Sequence, residues 1–204
     1  MADTDSVITI GNVLRADIRG FVVASRIPEP DVPTFGTFVR AAIQQARADL
    51  IGLVYNITLQ DDPFLKNLAV TVIEDDPRYA EIIRDQQENR AIPVEIAVAA
   101  IGYRDEDSNY HYGLPPQPPM ILHRITVCSK DEVRHITAAP DFMRALFDNR
   151  DVPADELIPT ALQRAARLRP ETMRAAFFLE AGRYLAQYLG RDPVRLERIL
   201  RRLA

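Results

Sequence analysis

The chain has 204 residues, 47% of them hydrophobic and 26% charged, enough apolar material for one large globular domain or two small ones. Its formal net charge of -4 argues against a protein that coats DNA by bulk positive charge, and its single cysteine, Cys128, excludes an internal disulfide. No apolar run reaches the length of a bilayer crossing, and Met1 to Ser6 has neither the basic start nor the apolar core of a signal peptide, so a cytoplasmic protein without membrane contact is expected.

The N-terminal two thirds reads as β. Val7 to Leu14 carries β-branched residues broken by Gly11, and Gly20 to Ala24 is a short apolar run after a turn signal. Pro28, Pro30 and Pro33 mark a loop. Phe38 to Ile43 and Leu50 to Leu59 are the next predicted strands. In the second, Ile51, Leu53, Tyr55 and Ile57 alternate with Gly52, Val54, Asn56 and Thr58, a strand period with one weak side. Asp76-Pro77 starts a predicted helix that ends near Asn89, because Asp caps free N–H groups and Pro suits the first turn. Strands resume over Ile92 to Tyr103, followed by a polar hairpin tip, Asp105 to Asn109. A proline-rich exit, Leu114-Pro-Pro-Gln-Pro-Pro119, leads to a last strand, Met120 to Val127.

After Cys128 the pattern turns helical. The predicted segments are Pro140 to Asn149, Ala154 to Leu168, Met173 to Leu189 with Gly190 as its stop, and Val194 to Leu203 capped by Asp192-Pro193. The expected fold is α+β: a small β-barrel or sandwich with an inserted helix over residues 7–128, then an all-helical C-terminal domain of three to four helices over 129–204.

Little in the chain resembles catalytic chemistry. His111, His123 and His135 have no nearby Cys or second His at ligand spacing, so no metal site is expected. Asp61-Asp62 and Glu74-Asp75-Asp76 precede Pro63 and Pro77, where carboxylates commonly start turns or cap helices. Cys128 follows an apolar strand and reads as a packed small residue. Tyr103, Arg104, Tyr110 and Tyr112 bracket the hairpin and are the residue types that stack on single-stranded bases, but Asp105, Glu106 and Asp107 beside them repel a phosphate backbone. No catalytic residue and no cofactor is expected.

Two features of the C-terminal third point to a partner. From Arg150 to Ala204 there are 11 arginines against 7 acidic residues, a local balance of +4 that leaves -8 for the first 149 residues. On the last helix Arg195, Arg198, Arg201 and Arg202 read either as a solvated face or as a contact for phosphates or an acidic partner. On the helix before it, Met173, Ala176, Phe177, Tyr184 and Tyr188 form a broad stripe with Phe178, Leu185 and Leu189 alongside. That stripe serves either helix–helix packing or a partner, with Phe178, Tyr184 and Tyr188 as candidate contact residues.

The ordered pieces Ile10-Gly-Asn-Val-Leu14, Gly20-Phe-Val-Val23, Phe35-Gly-Thr-Phe-Val-Arg40, Leu50-Ile-Gly-Leu-Val-Tyr-Asn-Ile57, Val94 to Gly102 and Pro115-Pro-Gln-Pro-Pro-Met-Ile-Leu122 together resemble the HAS-barrel over residues 7–128. This is the small closed β-barrel of HerA-type DNA translocases and rotary ATP synthases, where it precedes the motor and forms a crown that holds ring subunits together, so the resemblance implies a closed barrel over residues 7–128. The chain departs from that family where a motor would begin. Its two lysines lie in Phe64-Leu-Lys-Asn67 and Cys128-Ser-Lys-Asp131, neither after a glycine, so no phosphate-cradling loop is present to carry ATPase chemistry. The resemblance therefore implies a non-enzymatic assembly module that associates with itself or docks on a HerA-like hexameric ATPase, with a NurA-like nuclease as a further partner in DNA processing. The alternative is a nucleic-acid adaptor that uses the arginines of the last helix.

Overall fold

The computed structural model describes residues 8–25, 33–59 and 94–203. The helix expected over Asp76 to Asn89, the loop prolines Pro28 and Pro30, Lys66 and both carboxylate runs lie outside the described residues. The described strands are β1 (Thr9–Asp17), β2 (Gly20–Ser25), β3 (Phe38–Ile43), β4 (Ala48–Leu59), β5 (Val94–Arg104), β6 (Tyr110–Tyr112) and β7 (Arg124–Val127).

Six of these strands close on themselves. The hydrogen-bonded order is β2-β1-β7-β3-β4-β5, and β2 also pairs with β5, so the ring has no free edge among these six; β6 adds one more strand outside β5. Every pairing is antiparallel. The fold is thus an α+β fold, as the sequence pattern implies, with a closed barrel in place of an open sandwich. The barrel interior is filled from all six strands, by Ile10, Val23, Val39, Leu50, Val54, Ile96, Val98 and Ile125 among others.

Two strand boundaries differ from the sequence expectation by three residues or more, and the others by two at most. β1 runs on to Asp17 because Arg15 and Asp17 stay in register with Val22 and Gly20. The last strand begins only at Arg124. Its expected start, Met120 to His123, is a tight turn: the His123 N–H donates to the Met120 carbonyl (3.1 Å), and Leu122 takes a left-handed φ of 68°. The Leu122 N–H donates to Val13 and the Val13 N–H to His123 (2.8 and 2.9 Å), which pins this turn to β1.

The weak side of β4 has a physical reason. Leu50 and Val54 point into the barrel, whereas Ile51 and Leu53 point outward into a second core shared with the helices. Val54 and Asn56 straddle a register shift at Tyr55, after which Ile57 packs on the barrel interior. Both faces of β4 are therefore covered as far as Val54, and there the polar-out half of the usual alternation is replaced by residues that must fit between barrel and helices, while Asn56, Thr58 and Leu59 beyond it are exposed.

Five helices follow: α1 (Lys130–Ile136), α2 (Phe142–Phe147), α3 (Ala154–Arg167), α4 (Glu171–Tyr188) and α5 (Pro193–Arg201). The first lies where no helix was expected. Ser129 and Glu132 form a reciprocal capping box, with Glu132 N–H donating to Ser129 Oγ (3.2 Å) and Ser129 N–H to Glu132 Oε2 (2.8 Å). The other oxygen of Glu132 receives Arg40 Nη1 of β3 (2.9 Å), and Arg40 Nε donates to Thr126 Oγ1 of β7 (3.1 Å). One helix cap is thereby tied to two barrel strands. The helices do not trail from the barrel. Phe142, Met143, Leu146, Leu157, Ile158 and Leu162 pack with Phe38, Ile51, Leu53 and Ile101 of the barrel wall in one buried cluster.

Candidate docking surface

The most conspicuous surface belongs to α4. Of its 18 residues only Ala181 and Leu185 are buried. Met173 and Leu179 are large apolar side chains left 58% and 56% exposed, and Leu200 of α5, close beside Gly182, is 37% exposed. An amphipathic surface helix turns charged side chains outward. The outward residues here include Thr172, Ala175, Ala176, Leu179 and Ala186, with Arg183 as the one basic member.

The aromatic stripe, read from the sequence as either helix–helix packing or a partner contact, sits elsewhere on the same helix. Phe177, Phe178 and Tyr184 are partly buried and pack against the shared core. Tyr188 stacks on Phe147 of α2 (centroids 4.7 Å apart) and on Tyr184 (6.2 Å), and its hydroxyl donates to Asp148 Oδ1 (3.0 Å). Arg169 stacks over the Phe177 ring at 4.0 Å while its guanidinium donates to the Thr137 carbonyl and hydroxyl (2.8 and 2.9 Å), joining α1 to α4. The aromatic side of α4 is therefore in large part an internal joint, with Met173 and Tyr188 on it still exposed, and Leu179 is exposed on the opposite side.

All four candidate arginines of the C-terminal helix are engaged within the chain. Arg195 Nε and Arg198 Nη2 share the carboxylate of Asp155 on α3 (2.7 and 2.9 Å), Arg201 pairs with Glu197 (2.6 Å), and Arg202 pairs with Glu156. Gln163 Nε2 also donates to the Arg202 carbonyl (2.6 Å), so α5 is clipped onto α3. A phosphate backbone would have to displace these carboxylates. Single-stranded DNA is accordingly expected to bind the wild-type protein weakly and Asp155→Ala more strongly. Anisotropy titrations at 50 and 200 mM salt measure this, and any binding gained should weaken steeply with salt.

A second apolar surface lies on the barrel. Met120, Ile121 and Leu122 of the pinned turn are all more than half exposed, and Leu14 on neighbouring β1 is exposed too. Pro115 and Pro119, which lead into the turn, are buried, so it is mounted firmly. A leucine in the left-handed region costs roughly 1 kcal/mol or more, and here its side chain is turned out to solvent.

The remaining polar groups are largely satisfied. The His111 ring lies 2.6 Å from Asp105 and stacks on Tyr103 (4.8 Å), His135 stacks on Tyr110 (5.2 Å), and Arg104 pairs with Asp49. The Ala139 N–H donates to the Tyr112 hydroxyl (3.2 Å). These rings already have partners on the chain. His123 Nδ1 lies 3.3 Å from the Ala42 carbonyl. Among the described residues no group of three His, Cys, Asp or Glu side chains is placed to hold a metal ion. The Cys128 thiol is buried, and desolvation pushes its pKa well up, which keeps it protonated and a poor nucleophile. An open cleft of mixed polar and apolar lining runs between the β1–β2 turn and α2, in two adjoining parts of about 330 and 540 Å³ that share Arg19 and Asn149. In it the Tyr55 phenol is pushed up by burial and by Asp151 and Asp17. No described helix is long and apolar enough to cross a membrane.

Asp105 makes the hairpin pH-sensitive. The bond to His111, then the Asn109 N–H, hold its carboxyl below its ordinary value. A lowered folded-state pKa stabilises above the unfolded value of about 3.9, and this contribution is lost as pH falls through the lowered folded value. His111→Ala is expected to return the Asp105 titration toward the ordinary range, followed by carboxyl-carbon NMR.

In comparison with known proteins, no family model matches the chain, and no curated protein matches it.

Proposed function

We propose that this protein is a non-enzymatic assembly module of the HAS-barrel type, which associates with itself or docks on a HerA-like hexameric ATPase in DNA processing, with a NurA-like nuclease as a further partner. The observation that carries the reading is the apolar turn Met120-Ile121-Leu122, held out from a closed barrel by backbone bonds to Val13. Exposed apolar groups on a rigid mount are a usual mark of a protein contact. The closed six-stranded barrel agrees with the fold that the resemblance implies. The shared barrel–helix core lets the helices act as part of the same rigid body.

The test is the native mass of the purified protein, alone and mixed with a HerA-like ATPase from the same genome. The expected result is an oligomer alone and a larger complex with the ATPase. Leu122→Asn should lower ATPase binding at least tenfold without loss of fold, because asparagine tolerates the left-handed backbone and the site is exposed. A strict monomer that binds no ATPase overturns the reading.

A further inference from the structure

We propose that two copies of this chain associate through α4, packed antiparallel about a two-fold axis at Leu179. This rests on the assembly reading only in taking a second copy as the occupant; the surface itself is separate from the barrel turn.

The outward face of α4 is self-complementary under that operation. Thr172, Ala175, Leu179, Gly182 and Ala186 recur at spacings of three and four residues, so they share one side of the helix. Reversing the helix about Leu179 sets Thr172 opposite Ala186, Ala176 opposite Gly182, Ala175 opposite Arg183, and Leu179 opposite itself. A two-fold contact requires this kind of self-matching patch, and a different partner would not. Small residues on either side of Leu179 let the axes approach to about 8 Å, with the two leucines filling the centre.

The charge of the face agrees. A helix of 18 residues is about 27 Å long. With the nine residues of α5 alongside, about 14 Å more, where Leu200 lies 3.9 Å from a Cβ placed on Gly182, the two helices project roughly 400 Å². That is about half of the ~800 Å² per partner of an ordinary specific interface, so the contact is a small one. Arg183 and Glu180 border one edge and make no ion pair among the described residues. In the antiparallel pair each Arg183 lies about 7.5 Å along the axis from Glu180 of the other copy, within reach of an arginine side chain.

The experiment uses the full chain, with cysteines placed on the exposed face and a short bismaleimide as probe; Cys128 is buried and does not compete. The wild type should run at twice the chain mass of 23.0 kDa. Leu179→Cys should cross-link to itself. Thr172→Cys and Ala186→Cys should not cross-link alone, since each stands about 21 Å from its own copy, but a mixture of the two should. Leu179→Glu, with its circular dichroism unchanged, should weaken the dimer at least 100-fold. A dimer that survives Leu179→Glu, or that cross-links at Thr172→Cys alone, overturns this contact while leaving self-association in place. A wild-type monomer that still binds the ATPase overturns the contact and leaves the assembly reading standing. A monomer that binds no ATPase overturns both.

Discussion

Replacing Phe142 with alanine is expected to cost about 3–5 kcal/mol and to melt the barrel and the helices together. Phe142 is fully buried on α2, in the cluster that also holds Phe38 and Ile101 of the barrel wall and Leu157 and Leu162 of α3. Removing its ring leaves a cavity between the two halves, where neither a strand nor a helix can shift to fill it without losing its other contacts. The loss is a large share of the 5–15 kcal/mol that usually separates folded from unfolded domains. Far-UV circular dichroism follows the helices, and labelling of the buried Cys128 thiol follows the junction between β7 and α1. The two signals should move to lower denaturant by the same amount. Separate transitions for helices and barrel would show that the shared core does not couple them.

Gly20→Ala should be the most damaging single methyl addition to the barrel. A Cβ on Gly20 would lie 2.1 Å from the Val98 carbonyl oxygen, at the β2–β5 pairing that closes the ring. That oxygen belongs to the backbone of a central strand and cannot swing away as a side-chain tip would. The seam must open or the strands must slide, at a cost of about 3 kcal/mol or more. Amide exchange should rise along β2 and the facing half of β5 before the rest of the barrel responds. Gly113→Ala is the control. Its Cβ meets nothing within 4 Å, although φ is 104°, so only local backbone strain is added. Equal exchange profiles for the two variants would mean that the seam is not the weak point.

The helical segments of the C-terminal third were legible because their apolar periodicity is long and their ends are marked by Asp192-Pro193 and Gly190. The strands were legible from β-branched runs between turn residues, and Phe38 to Ile43 matches the observed strand end to end. α1 was missed although Ser129-Lys-Asp-Glu132 spells its capping box, because seven residues carry too little periodicity to stand out beside the preceding strand. Met120 to His123 read as strand from its apolar side chains, but its conformation is set by the bonds from Val13, a residue far away in sequence. The exposed apolar face of α4 was legible only in part. The excess of apolar residues on α4 was plain, yet Phe178, Tyr184 and Tyr188 pack inward or along a joint while Leu179 points out. The arginines of α5 looked available because Asp155 and Glu156 lie about 40 residues earlier.

By itself the sequence determined a β-rich first part followed by helices, and an apolar surplus near the C-terminus. These are local properties, set by side-chain period, turn chemistry and residue type. Only the tertiary structure decided that the strands close into a ring, that the helices share a core with its wall, and which side of α4 remains uncovered. Closure and covering depend on contacts between residues distant in the chain, whose free energy is paid back only when whole elements dock. The periodicity of one helix reports how much apolar surface it has, and its neighbours decide how much of that surface is left for a partner.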